Sequence, residues 1–351
     1  MKKNYKFKND NFELNLPSSI KLGDVAGISL DEKDNIYLFN RGENPIIVIN
    51  QKGELITTWG HGIFKNPHGA HIGHDQNIYL TDNGDHTLRK FTLDGKLLLQ
   101  IGIPDTSPGF MSGKPFCRCT HSALTPEGNI IVSDGYGNAS IHIFDQKGKH
   151  LKTWGNPGSL PGEFNLPHNV CCDKDGWIYV ADRENSRIQI FNTDGKFEKQ
   201  INNMHRPSGL AITPGSNPDL IIGELASYLE VNKNFPNLGP FVSIFNTQSS
   251  LLYRIRNKIK TSSTFGMLVS PHSIAYDSYG NIYVGDVVET DWHHLHANQP
   301  MPKDMKRFHR FVNISLWKNN KKTFWNNKLD IIRINYEKTF DSLFNCSIIQ
   351  H

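Results

Sequence analysis

Proline precedes histidine at Pro67-His68, Pro167-His168 and Pro271-His272, and each of these histidines stands eleven residues before a tyrosine, Tyr79, Tyr179 or Tyr283. Three neutral imidazoles that converge with a fourth position open form the ligand set of a catalytic zinc site, in which water or substrate completes the shell. A nitrogen-rich, thiolate-poor set suits zinc, while ligand type alone leaves iron, cobalt and copper open. One Pro-His pair would more simply be a turn carrying an inert, hydrogen-bonded histidine. Three in one register require a shared geometric cause.

Other polar residues keep the same register. Three positions beyond the tyrosines and their equivalents an acid recurs as Asp82, Asp134, Asp182, Glu224 and Asp286, with Asn40 in the first unit. Such recurrence suits carboxylates that organise turns, since a catalytic acid would occur once. The next position varies and holds Arg41 and Arg183. A guanidinium fork there suits an anionic substrate group, above all a carboxylate. Glu184 offers Arg183 an ordinary salt bridge instead, whereas Arg41 is followed by Gly42. Tyr136, flanked by glycines in Ser133-Asp134-Gly135-Tyr136-Gly137-Asn138, stands one step further on. Beside a cation and an arginine it would serve as a proton acceptor; otherwise it is an aromatic lid on a turn.

The elements that must position these groups repeat along the chain. Aligning the strand cores gives Tyr37, Tyr79, Ile131, Tyr179, Ile221 and Tyr283, separated by 42, 52, 48, 42 and 62 residues. Each unit reads as four short strands, with Asp94-Gly95 and Asp194-Gly195 as hairpin signals between the third and fourth. Six such units describe an all-β, six-bladed β-propeller around a central channel. The Pro-His units are the second, fourth and sixth, so their histidines lie about 120° apart and converge on the channel. The equal offset matters because a one-residue slip would turn a side chain to the other face. His121 lies ten residues before Ile131, so Thr120 holds the ligand register there. His71 and His74 fall in an inner strand and its turn. His293, His294 and His296, beside Trp292, read as an exposed polar loop.

Residues 1–314 are expected to form the propeller and residues 315–351 an extension, either a closing strand or a loosely ordered tail. A propeller usually closes by pairing strands from both termini; residues 12–16 and 329–336 are the two candidates. No apolar run reaches the roughly 18 residues of a membrane span, and the lysine-rich start lacks the apolar stretch of a secretory signal. Five cysteines in close pairs, at 117, 119, 171, 172 and 346, fit a reducing compartment better than a disulfide framework. A cytoplasmic location is therefore expected. The net charge of +4 is dispersed, which disfavours nucleic-acid binding, and the basic stretches at 303–310 and 318–322 read as solvated loops.

In order along the chain, Phe39-Asn40-Arg41-Gly42, Pro67-His68-Gly69, Ser133-Asp134-Gly135-Tyr136, Phe164-Asn165-Leu166-Pro167-His168, Ala181-Asp182-Arg183-Glu184-Asn185 and Pro271-His272 resemble the landmarks of peptidyl-α-hydroxyglycine α-amidating lyase. That family consists of NHL-repeat propellers. The resemblance implies His68, His168 and His272 as zinc ligands, Tyr136 as the base, and Arg41 and Arg183 as catalytic arginines. It implies cleavage of a carbinolamide to an amide and glyoxylate, with a small or peptide substrate that carries a carboxylate. Ser270 replaces the family's methionine, and Ser273 replaces an acid that binds calcium there, so structural calcium is not expected. Gly137, Tyr179 and Ile190 replace disulfide cysteines. Two other classes remain open on residues alone: a different metal-dependent propeller enzyme such as a lactone hydrolase, and a non-catalytic NHL interaction module. Metal content discriminates the second, ligand type the first.

Overall fold

The computed structural model describes residues 4–10, 12–215, 217–232, 235, 237–256, 268–297 and 299–315. Its strands form six four-stranded antiparallel sheets. The innermost strands are Val25–Leu30, Pro67–Ile72, His121–Leu124, Pro167–Cys172, Pro207–Ile212 and Pro271–Tyr276. Each contacts the next, and the last contacts the first, which closes a ring of six blades.

The pattern of burial follows from this stacking. Second strands such as Ile36–Asn40 and Ile178–Asp182 are buried at every position, because both faces of a blade meet neighbours. They read as continuous apolar runs rather than alternating ones. Outer strands such as Leu55–Trp59 are only partly covered, with Ile56 and Thr57 exposed. The core is divided into clusters at the blade interfaces: Phe39, Ile46 and Val48 of blade one pack on Ala70, Ile78 and Leu80 of blade two. Ala123, Ile131 and Ile141 of blade three meet Val170, Ile178 and Val180 of blade four. Blade six joins blade one through Ala275, Tyr283 and Phe308 against Val25, Ile28 and Leu38. A fully buried Ile or Leu contributes about 1.5–3 kcal/mol relative to exposure, so each interface is a substantial fraction of the net stability. Gly95 and Gly195 take the left-handed φ of +94° and +76° that the outer hairpins need.

The recurrent acids hold the entry to each inner strand. Asp82 accepts the amides of Lys65 and Asn66 at 2.6 and 2.9 Å, and Asp286 those of Val269 and Ser270 at 2.9 and 2.6 Å. Asn40 does the same for Gly23 and Gly42 at 3.1 and 2.8 Å. Third strands supply a partner within the same blade: His142 to Asp134, Arg187 to Asp182 and His309 to Asp286. Turn organisation, as expected, is what these groups do.

Two expectations need correction. The strand that closes blade six is Phe7–Asn9, paired antiparallel with Phe308–Asn313, and not residues 12–16. Those residues make one isolated bridge, Asn15 to Glu54, and pack Phe12, Leu14 and Leu16 onto the interface between blades six and one. The other candidate, residues 329–336, lies outside the described residues, as does Cys346. The segment expected as a polar loop contains a helix, Val288–Leu295. Its N-terminus is capped from the adjacent blade one by Asp24, whose carboxylate accepts the amides of Glu289 and Thr290 at 2.8 and 2.9 Å. A cap so far away in sequence leaves no local start signal.

Candidate metal centre and active site

Pro67, Pro167 and Pro271 pair with Asp82, Asp182 and Asp286, and directly after each proline the ladder skips a step. His68, His168 and His272 fall in these β-bulges, which re-aim the side chain out of the alternation. They point into the channel. The ring centroids form a near-equilateral triangle with sides of 4.8, 4.6 and 4.7 Å, and one potential ligand atom from each lies within 4.8 Å of the others.

The outward nitrogens are already committed. His68 Nδ1 donates to the Thr120 carbonyl at 2.6 Å, His168 Nδ1 to that of Ser208 at 3.2 Å, and His272 Nδ1 to that of Ala26 at 2.8 Å. Thr120, Ser208 and Ala26 occupy the same place in blades three, five and one. A carbonyl only accepts, so each ring is the Nδ1–H tautomer with an Nε2 lone pair directed inward. Imidazole-bearing blades thus alternate with blades that supply the orienting carbonyl. Gly69 permits this approach, because a Cβ there would stand 2.5 Å from the Thr120 oxygen.

Electrostatics keep the three rings neutral. Burial, then the charge of His272 and Arg41, holds His68 well below the usual imidazole range. Burial and then Arg183 do the same for His168, and burial with Arg41 pushes His272 down to about 3. A buried trio of unprotonated Nε2 donors fits a divalent transition metal, which needs its nitrogen ligands deprotonated.

Tyr136 stands over this trio. Its Oη lies 3.3 Å from His68 Nε2 and 3.2 Å from His168 Nε2, and accepts a hydrogen bond from Arg183 Nη1 at 3.2 Å. Arg183 also donates through Nε to Glu184 at 2.8 Å, so the salt bridge expected as its alternative is present while its other end faces Tyr136. Burial opposes its charge, and the Tyr136 and Glu184 oxygens more than offset that, raising its pKa. Glu184 continues to Arg206 Nη2 at 2.9 Å, and Arg206 lies 4.0 Å over the Tyr228 ring. Despite its burial, the Arg206 hydrogen bond and Arg183 push Glu184 down to about 2. Arg41 sits at the opposite rim, donating to the Pro67 carbonyl at 3.2 Å and to Thr290 Oγ1 at 2.7 Å.

Glu184, Arg206, Tyr228 and Thr290 were not legible as site residues, since each depends on contacts between blades. Arg118 was missed as well; its guanidinium lies 5.2 Å over the Tyr136 ring. Residues 118 and 206 each stand two places before the channel residue of their blade, a periodic position that could have exposed both. His293 and His294 are exposed on the helix, and His294 stacks on Tyr228 at 5.2 Å. Ser270 bonds to the buried Asp291 of that helix. Ser273 accepts the Ile28 amide at 2.9 Å and ties blade six to blade one. Cys117, Cys119, Cys171 and Cys172 are free thiols. Cys117 Sγ packs directly on Gly137, only 2.2 Å from where a Cβ would be.

Residues 164–191, in blade four, match the NHL repeat family. Over 348 residues the chain is 28% identical to peptidyl-alpha-hydroxyglycine alpha-amidating lyase 1 of Drosophila melanogaster, covering 86% of this chain and 59% of that protein. It is 30% identical over 310 residues to peptidyl-glycine alpha-amidating monooxygenase A of Xenopus laevis, covering 76% of this chain and 31% of that protein. The chain therefore spans about a third to three fifths of these relatives. Streptogramin B lyase superposes with a TM-score of 0.55 at 13% identity over 88% of this chain and 98% of that one. Virginiamycin B lyase from Staphylococcus aureus gives 0.53 at 17%, covering 81% and 82%. Those two likenesses concern the fold alone.

Proposed function

We propose that this chain, an NHL-repeat propeller similar over most of its length to the peptidyl-α-hydroxyglycine α-amidating lyases, is a metal-dependent carbon–nitrogen lyase. Its substrate would be an α-hydroxyglycine-type carbinolamide, cleaved to an amide and glyoxylate. The observation that carries this reading is the placement of Tyr136 Oη within 3.3 Å of two of the three converging imidazoles and 3.2 Å from Arg183. A binding module has no need of such a constellation.

His68, His168 and His272 would hold the metal, with zinc the favoured ion. A divalent cation in that position supplies a Lewis acid for the substrate hydroxyl or carbonyl oxygen. Tyr136, as a phenolate stabilised by the Arg183 cation, accepts the proton of the α-hydroxyl at Oη and becomes the neutral phenol. As the C–O bond becomes C=O, the C–N bond breaks and its electron pair goes to nitrogen. The proton returns from Tyr136 to that nitrogen, which leaves as the primary amide. Arg41, at the rim, neutralises alkoxide charge developing on the substrate's hydroxyl oxygen. Glu184 fixes the Arg183 fork so that one nitrogen faces the tyrosine.

Incubating the full chain with an α-hydroxyglycine peptide and measuring glyoxylate tests the proposal. Release that stops on chelation and returns with zinc is expected. Failure to release glyoxylate with metal bound would sink the substrate claim.

A further inference from the structure

Four arginines rim the channel mouth, and three are already occupied. Arg41 bonds Pro67 and Thr290. Arg183 is divided between Glu184 and Tyr136. Arg206 is held by both oxygens of Glu184, at 3.0 and 2.9 Å, and by the Ala226 carbonyl at 2.8 Å. Arg118 differs: it is exposed, and among the described residues no carboxylate lies within ion-pair distance of its guanidinium.

Its position is nonetheless built. Arg118 has a left-handed backbone, φ +64°, which costs energy for a residue with a side chain. Its amide donates to His86 Nδ1 at 3.0 Å, and the preceding amide, of Cys117, donates to Asp134 at 2.9 Å. The turn is thereby pinned on both sides of the bend. Its consequence is a guanidinium laid over Tyr136, whose hydroxyl lies against two of the three imidazoles.

We propose that Arg118 is the specificity-determining residue that receives the substrate carboxylate. The proposal rests on the lyase reading, in which the substrate carries a carboxylate one carbon from the reacting hydroxyl. A planar fork with free donors binds such a group in a bidentate manner, and its location above Tyr136 would set the hydroxyl against Oη. The three engaged arginines would have to give up protein partners to do the same.

Calorimetric binding of hippurate, an acylglycine without the reactive hydroxyl, to the metal-loaded full chain separates this from catalysis. The uncharged methyl ester of hippurate is the control. Arg118→Met should weaken hippurate binding by about tenfold or more and leave ester binding unchanged. Arg118→Lys should restore part of the loss. Equal weakening of acid and ester, no weakening of either, or no hippurate binding by the unmutated chain would overturn the proposal. Absence of glyoxylate release from a hydroxylated substrate, with the acid-selective effect intact, would instead overturn the lyase reading alone.

Discussion

At the scale of single residues, the decisive atoms are the three Nε2 donors and the phenolic oxygen above them. Tyr136→Phe removes that oxygen and retains the ring between Arg118 and Arg183, so glyoxylate release should fall about 10²–10⁴-fold. Metal content should be retained, and a steady-state assay paired with elemental analysis checks both. The imidazoles also set a pH dependence. Burial pushes His121 down to about 3 and His71 to about 4, from an ordinary value of 6.5. The unfolded chain therefore binds more protons across this window, and stability falls as the pH drops. Their contribution is present above about pH 6.5 and lost as pH falls toward 4 and then 3. Urea midpoints of the metal-free chain should decline over that range, and a flat profile would contradict the buried, neutral assignment. His68, His168, His272, Arg41, Arg183 and Tyr136 were legible as candidates because their types are rare at their register positions. Arg118 and Glu184 were not: the position that Arg118 shares with Arg206, two places before the channel residue, holds Asp24, Asn66, Leu166 and Ser270 in the other blades, and Glu184 depends on a contact with Arg206 of the next blade.

Elements convert this register into geometry. The bulge after each proline turns the histidine inward, and the alternate blades offer a backbone carbonyl to its far nitrogen. At Gly69, beside His68, a Cβ would stand 2.5 Å from the Thr120 carbonyl oxygen of the next blade. Gly69→Ala should push the Thr120 carbonyl away from His68 and weaken metal affinity by about 10–100-fold, measured by competition with a chelator. Asp24 acts at a similar level, capping Val288–Leu295 and bonding Thr290, which in turn holds Arg41. Asp24→Ala should cost about 1 kcal/mol of stability, read from the urea midpoint. Strand cores around Tyr37, Tyr79 and Tyr179 were evident from their apolar runs between turn signals. The bulges were not, since an extra residue in a ladder leaves no mark in composition. The helix was hidden for the related reason that its cap comes from blade one.

For the whole molecule, ring closure is the organising fact. Phe7–Asn9 covers the edge of Phe308–Asn313, and Arg310 reinforces the join through Asp10 and the Gln51 carbonyl at 2.8 Å. Removing residues 1–10 should bare that edge and promote association, visible as larger species in size-exclusion chromatography. The six-fold count followed from the spacing of strand cores; the closing strand did not, because three residues carry too little pattern. Placing imidazoles on alternate blades would make metal binding a property of the closed ring, as no two adjacent blades can assemble the three-histidine group. Elemental analysis of the purified chain, beside His168→Ala, tests that claim most directly. About one divalent transition metal per unmutated chain, and less than about half as much in the variant, is the expected result; less than about half a metal per unmutated chain would contradict it.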